Sequence, residues 1–493
     1  MDCRGGALSG VDADVLIVPV FTEDASADAA RLDVATHGES ARAVASKEFQ
    51  AKLYEIFVTP IVDSAWRARR VLLVGAGPVG ACGGLILRRV ATAAGLAARQ
   101  KRAGRAAFVV PRGENAAERA QAVAEGLTLA EFNGGTYKTG DHDAAPSPVW
   151  TVLVEGQDEV PADVRAAVAR GRILGDCCNL ARDLVNEPGN TLTPTELAKR
   201  AAAVVADTGV AVDVLDETRI AELGMGLLLG VARGSGEPPR LLVFRYEPAG
   251  APASPVLGLV GKGVTFDSGG ISIKAAQGME RMKDDMAGGA AVACAMRAIA
   301  LLGAPMRVLG IVPIAENMPG GRAIKPGDVL TSAEGKTVEV VNTDAEGRLL
   351  LGDGLWYARR LGATHLVDIA TLTGACLVAL GKAASGLFGT PDEWVDRVRR
   401  VANEAGDRVW PMPLFEEHRE QLKSEIADLM NSGGRPAGAS TAATFLKEFT
   451  GGLPWAHIDI AGTAWAEEAR PFLPKGPSGV GVRTLASLAF ERL

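Results

Sequence analysis

The sequence predicts an α/β protein in two parts. A smaller N-terminal α/β domain covers residues 1–156, a linker helix covers 157–184, and a larger C-terminal α/β domain with a mixed central sheet covers 185–493. Three observations predict this. Short β-branched runs alternate with Ala- and Leu-rich stretches along the whole chain. At 493 residues the chain is longer than one hydrophobic core usually serves. Residues 161–184 space Val, Ala, Ile and Leu at helical intervals and read as a connecting helix.

In the first part, residues 13–21, 70–74 and 106–110 are compact apolar runs that read as strands, and 82–102 reads as a helix with basic punctuation. Residues 134–148, rich in Gly, Asp, His, Ser and Pro, read as an exposed loop. In the second part, buried-strand signals recur at 240–246, 255–260, 307–313, 337–341, 365–369 and 457–460. Helical patterns at 288–302 and 347–360 separate some of them. Such a sheet can carry a site at its strand ends.

Hydrophobic residues make up 47% and charged residues 23%, ordinary for a globular protein. The net charge of −7 gives no sign of a nucleic-acid surface or of affinity for anionic membranes. Met1 to Gly6 lacks the basic-then-apolar pattern of a signal peptide. Apolar runs such as 15–21 fall short of the about 18 residues a spanning helix needs. Six scattered cysteines without CxxC spacing read as reduced thiols of a cytoplasmic protein and argue against zinc-finger chemistry.

Gly75-Ala-Gly-Pro-Val-Gly80 follows a predicted strand and fits the GxGxxG dinucleotide pattern. That chemistry also needs an acidic residue about 20 positions on to hold the ribose, and residues 95–102 contain none. Three glycines in a tight strand-to-helix turn also serve plain packing.

The residues that carry chemistry cluster in the second part. Val260-Gly-Lys-Gly-Val-Thr-Phe-Asp-Ser-Gly-Gly-Ile-Ser-Ile-Lys274 takes a strand into the glycine-flanked Lys262, then Asp267, then Lys274. Met282-Lys-Asp-Asp-Met286 opens a Gly/Ala-rich helix. The run 337–341 leads into Asn342-Thr-Asp-Ala-Glu-Gly-Arg-Leu349, where extended geometry would point Asp344 and Glu346 the same way and Arg348 opens a helix. One such DxE is ordinarily a turn, a cap or a surface pair. Here acids converge on several glycine-rich strand exits, and anions desolvated there call for cations. Asp267, one of Asp284 and Asp285, Asp344 and Glu346 carry four negative charges, matching two dications.

These segments resemble the leucyl aminopeptidase family of dinuclear metallopeptidases. The octapeptide 342–349 matches the family signature at every position. Gly261 to Lys274, Met282 to Val292, Ala370-Thr-Leu-Thr-Gly-Ala375 and Trp455-Ala-His-Ile-Asp-Ile-Ala-Gly-Thr-Ala-Trp465 follow in order. Similarity spans about residues 175–493, and the first domain aligns only by pattern. The resemblance implies a cytoplasmic exopeptidase that releases leucine and other residues from peptide N-termini, with a metal-bridged hydroxide attacking the scissile carbonyl. It implies metal ligands Lys262, Asp267, Asp285, Asp344 and Glu346, with Asp267 and Glu346 bridging. It further implies a catalytic pair, Lys274 and Arg348, with Lys274 also contacting substrate, and substrate contacts from Thr371, Leu372 and Gly374. Two Mn²⁺ or Zn²⁺ ions (Mg²⁺ also fits oxygen-plus-lysine ligation), a bicarbonate on Arg348 and a homohexamer are implied as well. The Asp-Met-x-Gly spacing selects Asp285 over Asp284, because Met286 and Gly288 follow it.

Three other readings stay open. A two-metal phosphoesterase could use the same carboxylates but would ordinarily add histidines or a basic phosphate clamp. A nicotinamide oxidoreductase would rest on the Gly75 loop. A DNA-binding regulatory role would rest on the basic stretch 88–105 against an acidic whole.

Overall fold

The computed structural model describes residues 1–140, 146–157 and 159–493. The part of the expected loop at 141–145 lies outside these. Two compact units emerge. One holds Met1–Asn179 with Glu467–Lys475, and the other holds Leu180–Ala466 with Gly476–Leu493. The helix Ala162–Asn186 runs from the first unit into the second.

In the first unit a six-stranded sheet runs Asp2–Gly6, Val149–Glu155, Arg105–Val109, Val15–Phe21, Arg70–Gly77, Ile56–Pro60. All pairs are parallel except the last. Alternation along Val15–Phe21 explains why the sheet is covered on both faces. Val15 and Ile17 enter one apolar cluster, while Leu16, Val18 and Val20 enter another. The helices Gly84–Gln100 and Ala116–Leu129 pack closely enough that a Cβ on Gly126 would lie 2.2 Å from the Arg88 carbonyl oxygen.

The glycine-rich 75–80 segment is not a phosphate loop. Gly75 and Gly77 belong to the strand, and the helix starts only at Gly84. A Cβ on Gly75 would sit 1.9 Å from the Lys52 carbonyl oxygen, so packing demands the glycine.

In the second unit eight strands of a nine-stranded mixed sheet run Val409–Pro411, Ser385–Thr390, Trp455–Asp459, His365–Ala370, Val256–Gly261, Arg307–Asn317, Arg240–Tyr246, Ala211–Leu215. The ninth, Gly263–Asp267, pairs with the far end of Arg307–Asn317. The four strands from Trp455–Asp459 to Arg307–Asn317 are parallel. Helices cover both faces at the centre. A Cβ on Gly261 would meet the Gly288 carbonyl of helix Ala287–Leu302, while a Cβ on Gly354 of helix Gly347–Arg360 would meet Val260, which points the other way. The segment Met279–Leu302, which contains the helical pattern at 288–302, is long and apolar enough to cross a membrane by length and composition. Yet 78% of its most apolar window is buried within the protein.

Thr337–Val340 differs from expectation. It belongs not to the central sheet but to a three-stranded one with Asp328–Thr331 and Leu429–Met430.

Helix Gly347–Arg360 is held by one buried acid. Asp353 is inaccessible to solvent and accepts the Leu227 and Leu228 N–H groups on Oδ2, each at 3.0 Å, and the Ala333 N–H on Oδ1 at 2.9 Å. Burial pushes its carboxyl up to about 7, against the pull of the three N–H donors. Asp353→Asn keeps only one acceptor oxygen, so a buried N–H loses its partner. Chemical denaturation should show a loss of about 1–3 kcal/mol. From the ordinary value of 3.8 up to about 7 the folded state holds a proton here that the unfolded state has released. The stability advantage of wild type over the variant should therefore shrink as pH rises across that window.

Candidate metal centre

The site is assembled where parallel strands end. Lys262 lies between Val256–Gly261 and Gly263–Asp267, and Asp267 closes the second of these strands. A positive-φ turn at Gly269 and Gly270 follows and leads to Lys274. Asp285 comes just after the short helical turn Met279–Asp284 and just before helix Ala287–Leu302. Asp344 and Glu346 precede helix Gly347–Arg360.

The four carboxylates and two ammoniums form one buried cluster. Lys262 Nζ lies 2.7 Å from Asp285 Oδ2, 2.9 Å from Glu346 Oε1 and 3.1 Å from the Thr371 carbonyl oxygen. Lys274 Nζ lies 2.7 Å from Asp267 Oδ2 and 2.5 Å from Asp344 Oδ1. Oxygens of Asp267, Asp344 and Glu346 lie within 4.8 Å of one another. The cluster opens toward solvent at Lys274 and Asp344, whose side chains are 24% and 34% exposed. A Cβ on Gly347 would come 2.5 Å from Lys262 Cε, so glycine there makes room for the lysine stem.

The electrostatics have a single sense. Burial is the largest influence on Lys262 and pulls its ammonium down, but Asp285, Glu346 and Asp267 together outweigh it and hold it above the usual lysine range. Lys274 behaves alike: burial lowers it, and Asp267, Glu346 and Asp344 raise it further. Burial pushes Asp285 well above the ordinary carboxylate value, and does the same less strongly to Glu346 and Asp344. Neighbouring acids add to each of these shifts. Burial first and neighbouring acids second thus favour the protonated forms of Asp285, Glu346 and Asp344, while the same acids hold Lys262 and Lys274 charged.

The donor set fits divalent cations. Glu346 Oε2 is buried and has no hydrogen-bond partner among the described residues, an arrangement that costs free energy unless a cation meets it. Carboxylate oxygens at this spacing suit hard or borderline dications.

The two adjacent aspartates part company here. Asp285 meets Lys262 and also accepts the Thr371 hydroxyl at 2.9 Å. Asp284 turns to Arg281, whose Nη2 lies 2.8 Å from its Oδ2. In another respect the geometry corrects the sequence reading. Asp344 and Glu346 do not share an extended segment. The strand stops at Val340, a turn follows, and Glu346 has helical dihedrals of −80° and −36°. The two acids are brought together by a folded turn.

That turn depends on a residue the sequence reading missed. Asn431 accepts the Val341 N–H at 2.9 Å and the Asn342 N–H at 3.3 Å on its side-chain oxygen. It donates to the Asn342 and Ala345 carbonyls at 2.7 and 3.2 Å. Its own carbonyl accepts from Arg348 Nη1 at 2.9 Å. Arg348 is buried, with Nε lacking a hydrogen bond among the described residues, and burial pushes its guanidinium down to about 10. Asn317, also missed, donates to Asp267 Oδ1 at 2.8 Å and to the Thr343 carbonyl at 3.0 Å, joining the two acid-bearing segments. Neither asparagine carries a local signal, since each acts on residues distant in sequence.

Residues 371–374 form a strap from strand His365–Ala370 to helix Gly374–Leu380. Thr371 touches the cluster directly, through its carbonyl and its hydroxyl. The Leu372 carbonyl and the Gly374 N–H take no hydrogen bond among the described residues. They are one acceptor and one donor left available on the strap that follows Thr371.

Comparison with known proteins shows the family. Residues 179–486 match the family model described as cytosol aminopeptidase family, catalytic domain, and residues 17–141 match the N-terminal domain of the same family. A probable cytosol aminopeptidase of Solibacter usitatus is 50% identical over 484 residues, covering 98% of each chain. One from Koribacter versatilis is 48% identical over 462 residues, covering 90% of each. Among solved structures, the bottromycin maturation enzyme BotP in complex with Mn superposes with a TM-score of 0.85 at 37% identity, covering 97% of this chain and 99% of that one. A tomato leucine aminopeptidase mutant gives 0.89 at 30% identity, covering 99% and 96%. The phosphoesterase reading has no support beside these likenesses, and the chain belongs to the cytosol aminopeptidase family, as a metal-dependent exopeptidase of two α/β parts.

Proposed function

We propose that Lys262, Asp267, Asp285, Asp344 and Glu346 hold two divalent cations, that Lys274 and Arg348 are the catalytic non-ligands, and that Thr371, Leu372 and Gly374 contact the peptide. The observation that carries this reading is the convergence of Asp267, Asp344 and Glu346 within 4.8 Å, joined to Asp285 through the shared Lys262 ammonium. When bound, the cations supply Lewis acidity toward the scissile carbonyl and activate water near neutral pH. Lys262 can ligate only as the neutral amine, so loading the site releases its proton. Lys274, at the open side, donates to the oxyanion as it develops. Arg348, anchored by the Asn431 carbonyl, would hold a bicarbonate, which would supply a base for proton transfer there. The Leu372 carbonyl and Gly374 N–H pair with substrate backbone. A free α-amine completes recognition, and an internal peptide segment has none, which restricts action to N-termini.

Mn²⁺ and Zn²⁺ are the cations we assign, with Mg²⁺ compatible with the oxygen donors. The Mn complex of BotP supports the first. A cytoplasmic homohexamer, with the N-terminal unit serving assembly or regulation, completes the reading and rests on the family alone.

Three measurements test it. Purified protein should cleave Leu-p-nitroanilide in a chelator-sensitive manner and spare the N-acetylated analogue; equal turnover of the blocked substrate removes the N-terminal restriction. Lys274→Ala and Arg348→Ala should each lower kcat by on the order of 10²–10³ while elemental analysis still finds the wild-type metal content. Metal loss in either would make that residue a ligand. Asp285→Asn should lose metal and most activity, whereas Asp284→Asn, whose carboxylate faces Arg281 and not Lys262, should keep both. The reverse order would move the ligand role to Asp284.

A further inference from the structure

We propose that Asp459 is a positioning residue that sets the strap 371–374 in register with the peptide backbone; this rests on the reading of that strap as a substrate contact. Asp459 ends strand Trp455–Asp459, directly opposite Ala370, the last residue before the strap. Its side chain is inaccessible to solvent. Oδ1 accepts the Leu372 N–H at 3.2 Å, the Ala461 N–H at 3.1 Å and the Thr373 N–H at 3.5 Å, while Oδ2 accepts the Thr373 hydroxyl at 2.7 Å. The strap belongs to no ladder, so these bonds take the place of strand pairing. Its other end is fixed by Thr371, held by Lys262 and Asp285.

The two pins flank the Leu372 carbonyl and lead to the Gly374 N–H, the acceptor and donor that no internal bond uses. A strap pinned at one end only would let both groups wander together relative to the carboxylate cluster. Misplacement on the ångström scale is costly for a bound peptide that must present its carbonyl in one orientation. A carboxylate suits the task because both of its oxygens accept and its charge strengthens every N–H bond it receives. An amide would offer one oxygen and turn an NH₂ toward a donor, either the Leu372 and Ala461 N–H groups or the Thr373 hydroxyl.

The experiment uses the full-length, metal-loaded protein and Leu-p-nitroanilide. Asp459→Asn and Thr373→Val should each raise KM about tenfold with kcat falling less than about threefold, the pattern of lost ground-state positioning. Metal content should stay at the wild-type value. Thr373→Ser, which keeps the hydroxyl, should restore KM. Gly374→Pro tests the strap independently. It deletes the N–H at the first helical position, where proline is favoured, after an extended Thr373 (φ −136°, ψ 131°) and in open space, so the fold tolerates it. If Gly374→Pro leaves KM unchanged, the strap does not bind peptide and the proposal falls with that reading. If Gly374→Pro raises KM while Asp459→Asn and Thr373→Val do not, the proposal for Asp459 alone is overturned. Metal loss in Asp459→Asn together with an unchanged KM in Thr373→Val assigns Asp459 a purely structural role and overturns it as well.

Discussion

Crowding of negative charge in a buried place is the constraint on which the catalytic unit depends. Asp267, Asp285 and Glu346 are almost wholly removed from solvent, and Asp344 closes the group at its open side. Unpaired carboxylates in such surroundings are among the costliest groups a protein can bury. Two lysines relieve part of that cost. Relief is incomplete, because one Glu346 oxygen lacks a hydrogen-bond partner among the described residues and burial still pushes Asp285 and Glu346 toward their neutral forms. The protein therefore stores, at the ends of its parallel strands, an electrostatic deficit that the proposed divalent cations would satisfy, and through the same groups metal binding would couple to fold stability.

Holding such a cluster together requires forces from outside it. Each acid arrives on a different segment, and like charges push those segments apart. The restoring bonds are mostly neutral and mostly backbone-directed. Asn317 ties Asp267 to the Thr343 carbonyl, and Thr343 and Ser272 exchange bonds across the loop that leads to Lys274. Asn431 shapes the turn that brings Asp344 and Glu346 round. Neutral amides serve well here because they supply donors and acceptors together without adding charge to a site that already has too much.

Much of this was legible in the sequence, for physical reasons that vary from residue to residue. Helix Gly347–Arg360 and the strand at 240–246 were found with their observed limits, since long periodic or compact apolar runs express burial directly. The octapeptide from Asn342 to Leu349 revealed the family, because chemistry restricts residue identity more tightly than packing does. Strand Gly263–Asp267 was missed: glycine and a terminal aspartate hide a β pattern, and only pairing beyond the end of Val256–Gly261 makes it a strand. The extended geometry expected for Asp344 and Glu346 failed for a non-local reason. The side chain that folds the turn, Asn431, sits 89 to 90 residues further along, out of reach of any local pattern.

Glycine shows why motif and meaning separate. Gly75 lies in a pattern that suggests a phosphate loop, yet its missing side chain serves only the close passage of the Lys52 backbone. Gly347 lies in a pattern that suggests a helix start, and its missing side chain leaves the volume that the Lys262 stem occupies. A methyl group at either position would clash, but with different consequences. At residue 75 it would force two backbone segments apart in a packed domain. At residue 347 it would displace a flexible lysine stem, which can yield, and so the damage would fall on the position of the Lys262 nitrogen and not on the fold. The same residue type thus belongs to packing in one unit and to chemistry in the other. What decides between them is the atom that an added Cβ would meet, a backbone carbonyl in the first case and the amine-bearing chain of the site in the second.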